Sequence, residues 1–151
     1  MQQLNLPPCE LDIKRNDGGP EFSVFDILRK KYVALTPEEW VRQHFVHFVI
    51  NEKNFPASLM ANEVAITLNG TSRRCDTIVY DRKGSPAMII EYKAPEININ
   101  QAVFDQIVRY NIVLKVKYLV VSNGINHYIC VIDYNNKGYR FLRDIPQYDE
   151  L

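Results

Sequence analysis

The run NEVAITLNGTSRRCDTIVYDRKGSPAMIIEYKA, residues 62–94, limits what this chain can fold into more than any other stretch. Val64, Ile66 and Leu68 alternate with Ala65 and Thr67, the period of a half-buried strand. Asn69-Gly70 follows, a dipeptide suited to the left-handed backbone of a tight hairpin. A second strand is predicted from about Arg73 to Tyr80, DRKGSP turns the chain again, and a third strand covers Ala87 to Lys93. Three strands with two short connections make an antiparallel meander.

Helical patterns flank it. In TPEEWVRQHFVHFVINEKN (36–54), Thr36 is placed to cap a helix, Pro37 suits the first position, and Glu39 completes a capping box. Trp40, Phe45, Phe48 and Val49, with Val41 at the flank, form its expected core stripe. His44 and His47 lie three apart on this helix without an acid or cysteine at ligand spacing, so they read as packed or surface histidines. After the meander, NINQAVFDQIVRYNIVLK (98–115) restores helical spacing, with Val103, Ile107, Tyr110 and Leu114 on one stripe and Phe104, Val108 and Asn111 beside it. VKYLVVSNG (116–124) has the continuous apolar character of a strand buried on both faces. Two more strand-like runs flank the turn Asn135-Asn136-Lys137-Gly138; His127 lies in the first and has no obvious partner.

These elements give an α/β (α+β) class: a central mixed sheet, made of the three-stranded antiparallel meander plus a further strand, flanked by helices. Residues 36–151 form that unit. Residues 1–35, with their prolines and a Gly18-Gly19 turn, are expected to be an N-terminal arm of short strands or irregular chain. The length of 151 residues suits one domain with a sizeable core.

Eighteen basic and eighteen acidic residues cancel, so no global field advertises nucleic acid or an anionic membrane. The charge is unevenly placed, however: Arg73–Lys117 carries eight Lys/Arg against five Asp/Glu. Cys9, Cys75 and Cys130 are odd in number, far apart and without a CxxC pair, which argues against a disulfide framework or structural zinc. The start lacks a basic-then-apolar signal pattern, and no apolar run reaches membrane-spanning length. The expectation is a soluble, cytoplasmic protein with no membrane partner; the oligomeric state is not legible.

Antiparallel pairing of strands two and three about residues 83–84 brings Asp76 and Glu91 opposite each other. Two carboxylates beside apolar residues are unfavourable unless a cation sits between them or one holds a proton. Mg²⁺ suits such a pair, since it takes hard oxygen ligands, one or two carboxylates and retained waters. Lys93, two residues beyond Glu91, points to the same face, where an ammonium can stabilise a developing phosphorane or orient an attacking water. The plainer alternative for these three residues is a cross-strand salt-bridge ladder on a solvated face. Cys75, adjacent to Asp76, is expected to face the other side of the strand as core.

Asp76 followed by Glu91-Tyr92-Lys93 resembles the bipartite signature of the PD-(D/E)XK nuclease superfamily, with its restriction-endonuclease-like core. Over roughly residues 36–135, NEVAI, RRCDTIVYD, AMIIEYKAPEININQAVFDQIVRYN and YLVVSNG, in that order, resemble the N-terminal nuclease domain of type I restriction enzyme R (HsdR) subunits. The usual Pro-Asp is Cys75-Asp76 here. The resemblance implies a Mg²⁺-dependent deoxyribonuclease of endonuclease type, with Mn²⁺ as substitute, DNA as partner and other restriction-system subunits as further partners. By position it implies Asp76 and Glu91 as metal ligands aided by the Tyr92 backbone carbonyl, Lys93 as catalytic lysine, and Glu63 as the upstream acid of the site. Gln106 and Tyr110 match its Q-x-x-x-Y motif, whose spacing of four puts both on one helix face. An ordinary packed helix pair is the alternative for these two. Arg73 and Arg74 are candidate DNA contacts or solvated arginines. The R subunit also carries a motor, but no G-x-x-x-x-G-K-[ST] phosphate loop occurs in these residues. The expectation is a nuclease-like domain without that motor, free-standing or part of something larger; a catalytically silent nucleic-acid-binding or assembly module is the alternative.

Overall fold

The computed structural model describes residues 1–68, 70–136 and 138–151, so Asn69 of the expected hairpin and Lys137 of the last turn lie outside the described residues. Three short strands come first: β1 (Ile13–Arg15), β2 (Phe22–Asp26) and β3 (Lys31–Ala34), an antiparallel sheet of their own. Helix α1 (Pro37–Glu52) follows. The meander is β4 (Met60–Leu68), β5 (Thr71–Tyr80) and β6 (Pro86–Tyr92). Helix α2 (Gln101–Asn111) then leads to β7 (Tyr118–Ser122), β8 (His127–Asp133) and β9 (Gly138–Leu142).

The large sheet has the order β4-β5-β6-β7-β8-β9, with β6 and β7 parallel and every other pair antiparallel. It is the mixed sheet expected, but wider, because β8 and β9 join its far edge. All five residues of β7 are buried, as its apolar run requires of a strand covered on both faces. Alternation sorts the core into two layers. Met88, Ile90, Val120 and Ile129 pack with Val41, Phe45 and Val49 of α1, whereas Ile89, Leu119, Val121 and Cys130 pack with Phe104 and Val108 of α2.

The register of β5 on β6 comes from the turn between them. The Asp81 Oδ1 accepts from the amides of Lys83 and Ser85, both at 2.9 Å, and Gly84 adopts the left-handed conformation (φ +83°) that closes it. Thr77 then pairs with Ile90, Ile78 with Ile89 and Val79 with Met88.

Three local expectations are corrected. In α1, Val41, Phe45, Val46 and Val49 are fully buried while Trp40 and Phe48 are half-buried, and Glu39, Arg42, Gln43 and His44 are buried as well. The helix has no wide wet face, because Leu4, Leu6, Ile27 and Leu28 from the first 35 residues also pack onto this core. The capping box is half formed: Thr36 Oγ1 accepts from the Glu39 amide (3.1 Å), but the Glu39 carboxylate serves Arg29 and Gln43 instead. In α2 the buried stripe is Phe104, Val108 and Asn111, while Val103 and Ile107 are half-buried and Tyr110 is 46% exposed.

Candidate functional site

Continuing the β5–β6 register one step past Thr77–Ile90 sets Asp76 against Glu91, the juxtaposition that the pairing arithmetic predicts. The two strands hold these acids differently. Asp76 Oδ2 accepts from the Tyr92 amide at 2.9 Å, while Arg42 Nη1 donates to the Asp76 carbonyl at 2.8 Å, so both the side chain and the peptide of Asp76 are fixed. Glu91 is constrained by burial. Its Oε1 is buried and has no hydrogen-bond partner, and burial, then the Asp76 carboxylate beside it, raise its pKa far above the ordinary range. Asn111 and Lys93 oppose that shift less strongly.

Glu91 and Lys93 share a face, as strand alternation requires, and line one pocket of about 230 Å³ with Val103, Gln106, Ile107, Tyr110 and Asn111 of α2. Gln106 and Tyr110 lie one turn apart along its exposed rim. The Tyr92 side chain points the other way, its hydroxyl bonded to Thr77 Oγ1 (2.9 Å) and its ring edge-on to Phe45. Asp76, Glu91, Lys93, Gln106 and Tyr110 are thus brought to one region.

Glu63 is not among the pocket-lining residues. Its Oε1 accepts from Arg42 Nη2 at 2.7 Å and its Oε2 from Arg74 Nε at 2.8 Å. Burial works against this carboxylate, but the hydrogen bonds from Arg74 and Arg42 outweigh it and hold its pKa below the usual range. Arg73 Nε donates to the Tyr110 carbonyl (3.0 Å) and its guanidinium stacks on the Tyr110 ring, tying β5 to α2. Arg74 is exposed beyond its pair with Glu63.

The backbone explains a further departure. Glu63 is left-handed (φ +57°) within β4, between the pairs Asn62–Thr77 and Val64–Cys75. Met60 of β4 packs in the α1 layer, but Val64 and Ile66 pack in the α2 layer although all three are even-numbered. On β5, Cys75 lies in the α2 layer together with Ile78, so it does not face away from Asp76 as alternation predicts. Burial, followed by the Glu91 and Asp76 charges, pushes its thiol up to about 12, which rules out a thiolate nucleophile at neutral pH. Left-handed backbone at a non-glycine residue is a form of strain that concentrates at functional sites.

Among the described residues, no three His, Cys, Asp or Glu side chains gather closely enough to enclose a metal. A cation here therefore rests on two carboxylates, neutral oxygens and water, the set that Mg²⁺ accepts. The unpartnered Glu91 Oε1 fits such an ion. Two residues escaped the sequence reading. Arg42 lies in a helix whose pattern is dominated by its apolar stripe, and Asn111 stands beside the apolar stripe of α2. The only signal for Asn111 was an amide at a core position. His44 Nδ1 bonds the Trp40 carbonyl (2.8 Å) and its ring lies edge-on to Trp40.

Among the described residues, no helix is long and apolar enough to cross a membrane. No curated protein matches the chain. Among solved structures, the chain resembles a fragment described as an HsdR subunit of a type I restriction enzyme from Vibrio vulnificus YJ016, with a TM-score of 0.54 and 21% identity. The likeness covers 78% of this chain and 24% of that one, so the chain spans about a quarter of that relative, and it shows a shared fold. The family described as type I restriction enzyme R protein N terminus (HSDR_N) matches residues 37–146, from the first turn of α1 past the end of β9. With most of its length matched, helix, six-stranded sheet and acid-bearing strands included, this chain belongs to the family of type I restriction enzyme R protein N-terminal domains.

Proposed function

We propose that this chain is a Mg²⁺-dependent nuclease domain that hydrolyses DNA phosphodiester bonds, with Mn²⁺ as a substitute ion. The supporting observation is the register of β5 on β6, which pairs two carboxylates next to a pocket that an amine also lines. Asp76 and Glu91 would hold the ion, with the Tyr92 backbone carbonyl as a further oxygen. An ion bound there would supply Lewis-acid polarisation of the scissile phosphate and a more acidic water for the attack. Lys93 orients that water and stabilises charge that develops on the phosphate oxygens. Gln106 and Tyr110, on the exposed rim, touch a DNA phosphate, and Arg73 steadies Tyr110 from below. Arg74 is the more exposed of the two arginines and contacts the DNA backbone. Glu63 acts through Arg42: it holds the Arg42 guanidinium, which in turn holds the Asp76 peptide.

The domain works in the cytoplasm with other restriction-system subunits. The silent-module alternative draws on Glu63, whose two oxygens are both committed to arginines, so that two free acids remain where the family reading expects three. Incubation with supercoiled plasmid and Mg²⁺ or Mn²⁺ tests the assignment: the wild type should cut, and Asp76→Ala should cut about 100-fold more slowly or not at all. Equal cutting by both would remove it. DNA binding without cutting by either would favour the silent module.

A further inference from the structure

Asn111 is the last residue of α2 and is 2% exposed. Its Nδ2 donates to the Ile107 carbonyl at 3.0 Å, which fixes the amide, since the flipped rotamer would set two acceptors against each other. Its Oδ1 is consequently the free end, and it is buried without a partner. The same is true of Glu91 Oε1, and the two residues line the same pocket. Buried acceptors normally find donors: in the metal-free protein a proton on Glu91 supplies one, and a cation that displaces this proton meets two oxygens free for positive charge or the O–H groups of its water. Lys93, which lines the pocket too, donates to neither. Neutral amide oxygens are ordinary companions of carboxylates around hard divalent cations, directly or through the cation's water.

We propose that Asn111 belongs to the divalent-cation site, its Oδ1 accepting a hydrogen bond from a water held by the ion that Asp76 and Glu91 bind. This rests on the reading of those two acids as ligands. Asn111 is then a positioning residue for that water, supplied by the end of α2, and it joins the helix to the acid-bearing strands through the bound ion.

Calorimetric titration with Mn²⁺ and with Mg²⁺, alongside thermal melting of the metal-free protein, tests the proposal on the wild type, Asn111→Leu, Asn111→Asp and Glu91→Ala. Asn111→Leu should weaken cation binding about tenfold or more. It should leave the metal-free melting temperature equal or higher, because it removes an unpartnered acceptor. Asn111→Asp should bind the cation more tightly than the wild type. Glu91→Ala should bind none. Wild-type affinity in both Asn111 variants, with Glu91→Ala silent, would overturn the proposal and leave the acid pair standing. Absence of cation binding by the wild type would overturn the acid-pair reading and the proposal with it. Should Asn111→Leu fail to fold, Asn111→Asp decides: affinity no greater than the wild type's counts against the role.

Discussion

Without a cation, burial and the neighbouring Asp76 carboxylate push the Glu91 pKa well above the ordinary carboxylate range and favour its protonated form. In the unfolded chain the same group titrates in the ordinary range, near 4.5. Between the unfolded and folded pKa values the folded state binds the extra proton, so metal-free stability is greatest at the acid end of this window and falls as pH rises through it. Glu91→Gln should flatten that slope, so the gap between the two proteins should widen as pH rises above the ordinary carboxylate range. Chemical denaturation from about pH 5 to about pH 9 measures it; parallel curves for both would refute a buried, proton-holding Glu91. The placement of Asp76, Glu91 and Lys93 side by side was legible in the sequence because strand period and turn position are local facts. The partners of Glu63 were not, since Arg42 lies 21 positions away on a helix and reaches it only once α1 packs on the sheet.

Helix α1 shows how an element can be right in extent and wrong in its faces. Its start is set by Thr36 and Pro37, both visible in the sequence. What covers it was not visible, because burial of its second face depends on where the first 35 residues pack. Glu39 is the hinge of that difference. It is 5% exposed and accepts from Arg29 at 2.7 Å and Gln43 at 3.0 Å, with Arg42 3.1 Å away. Thr36→Ala removes one cap and should lower stability by about 1 kcal/mol. Glu39→Ala takes one of two carboxylate partners from Arg29 and from Arg42, which keep Asp26 and Glu63, and leaves the buried Gln43 amide without its acceptor, so it should lower stability by about 2 kcal/mol. Urea titration of the pair separates the cases: if Glu39→Ala were no worse than Thr36→Ala, the acid would be a capping residue and nothing else. The buried stripe of α2 lies one position from the Val103, Ile107, Tyr110 and Leu114 stripe for a related reason. The strand ends it lies over carry charged groups, so the side facing Glu91 and Lys93 stays open while Phe104 and Val108 take the core.

At the scale of the whole molecule, the N-terminal segment is strapped across the sheet and helix. The Asn5 amide donates to the Gly124 carbonyl (2.8 Å), its own carbonyl lies 2.9 Å from His127 Nε2, and Trp40 Nε1 donates to the Gln2 carbonyl (2.8 Å). Gly124 is left-handed (φ +84°), and a Cβ placed there would come within 2.7 Å of Leu4 Cδ2 and 3.2 Å of Val41 Cγ2. Gly124→Ala should therefore destabilise by about 1–2 kcal/mol from the backbone alone, with a further loss from the displaced Leu4. In a chain lacking residues 1–6 that further loss should disappear; equal penalties in both backgrounds, read from thermal melts, would show that the strap does not bear on this turn. Such long-range seating has no signature in local sequence. Finally, β4 is the outermost strand of its sheet, and a long, flat, unpaired margin invites a neighbouring molecule to add its own strand. The left-handed Glu63 interrupts that margin and carries the Arg74 ion pair at the interruption. The left-handed residue that swaps the faces of β4 thus also discourages a neighbour from adding a strand at this edge of the sheet.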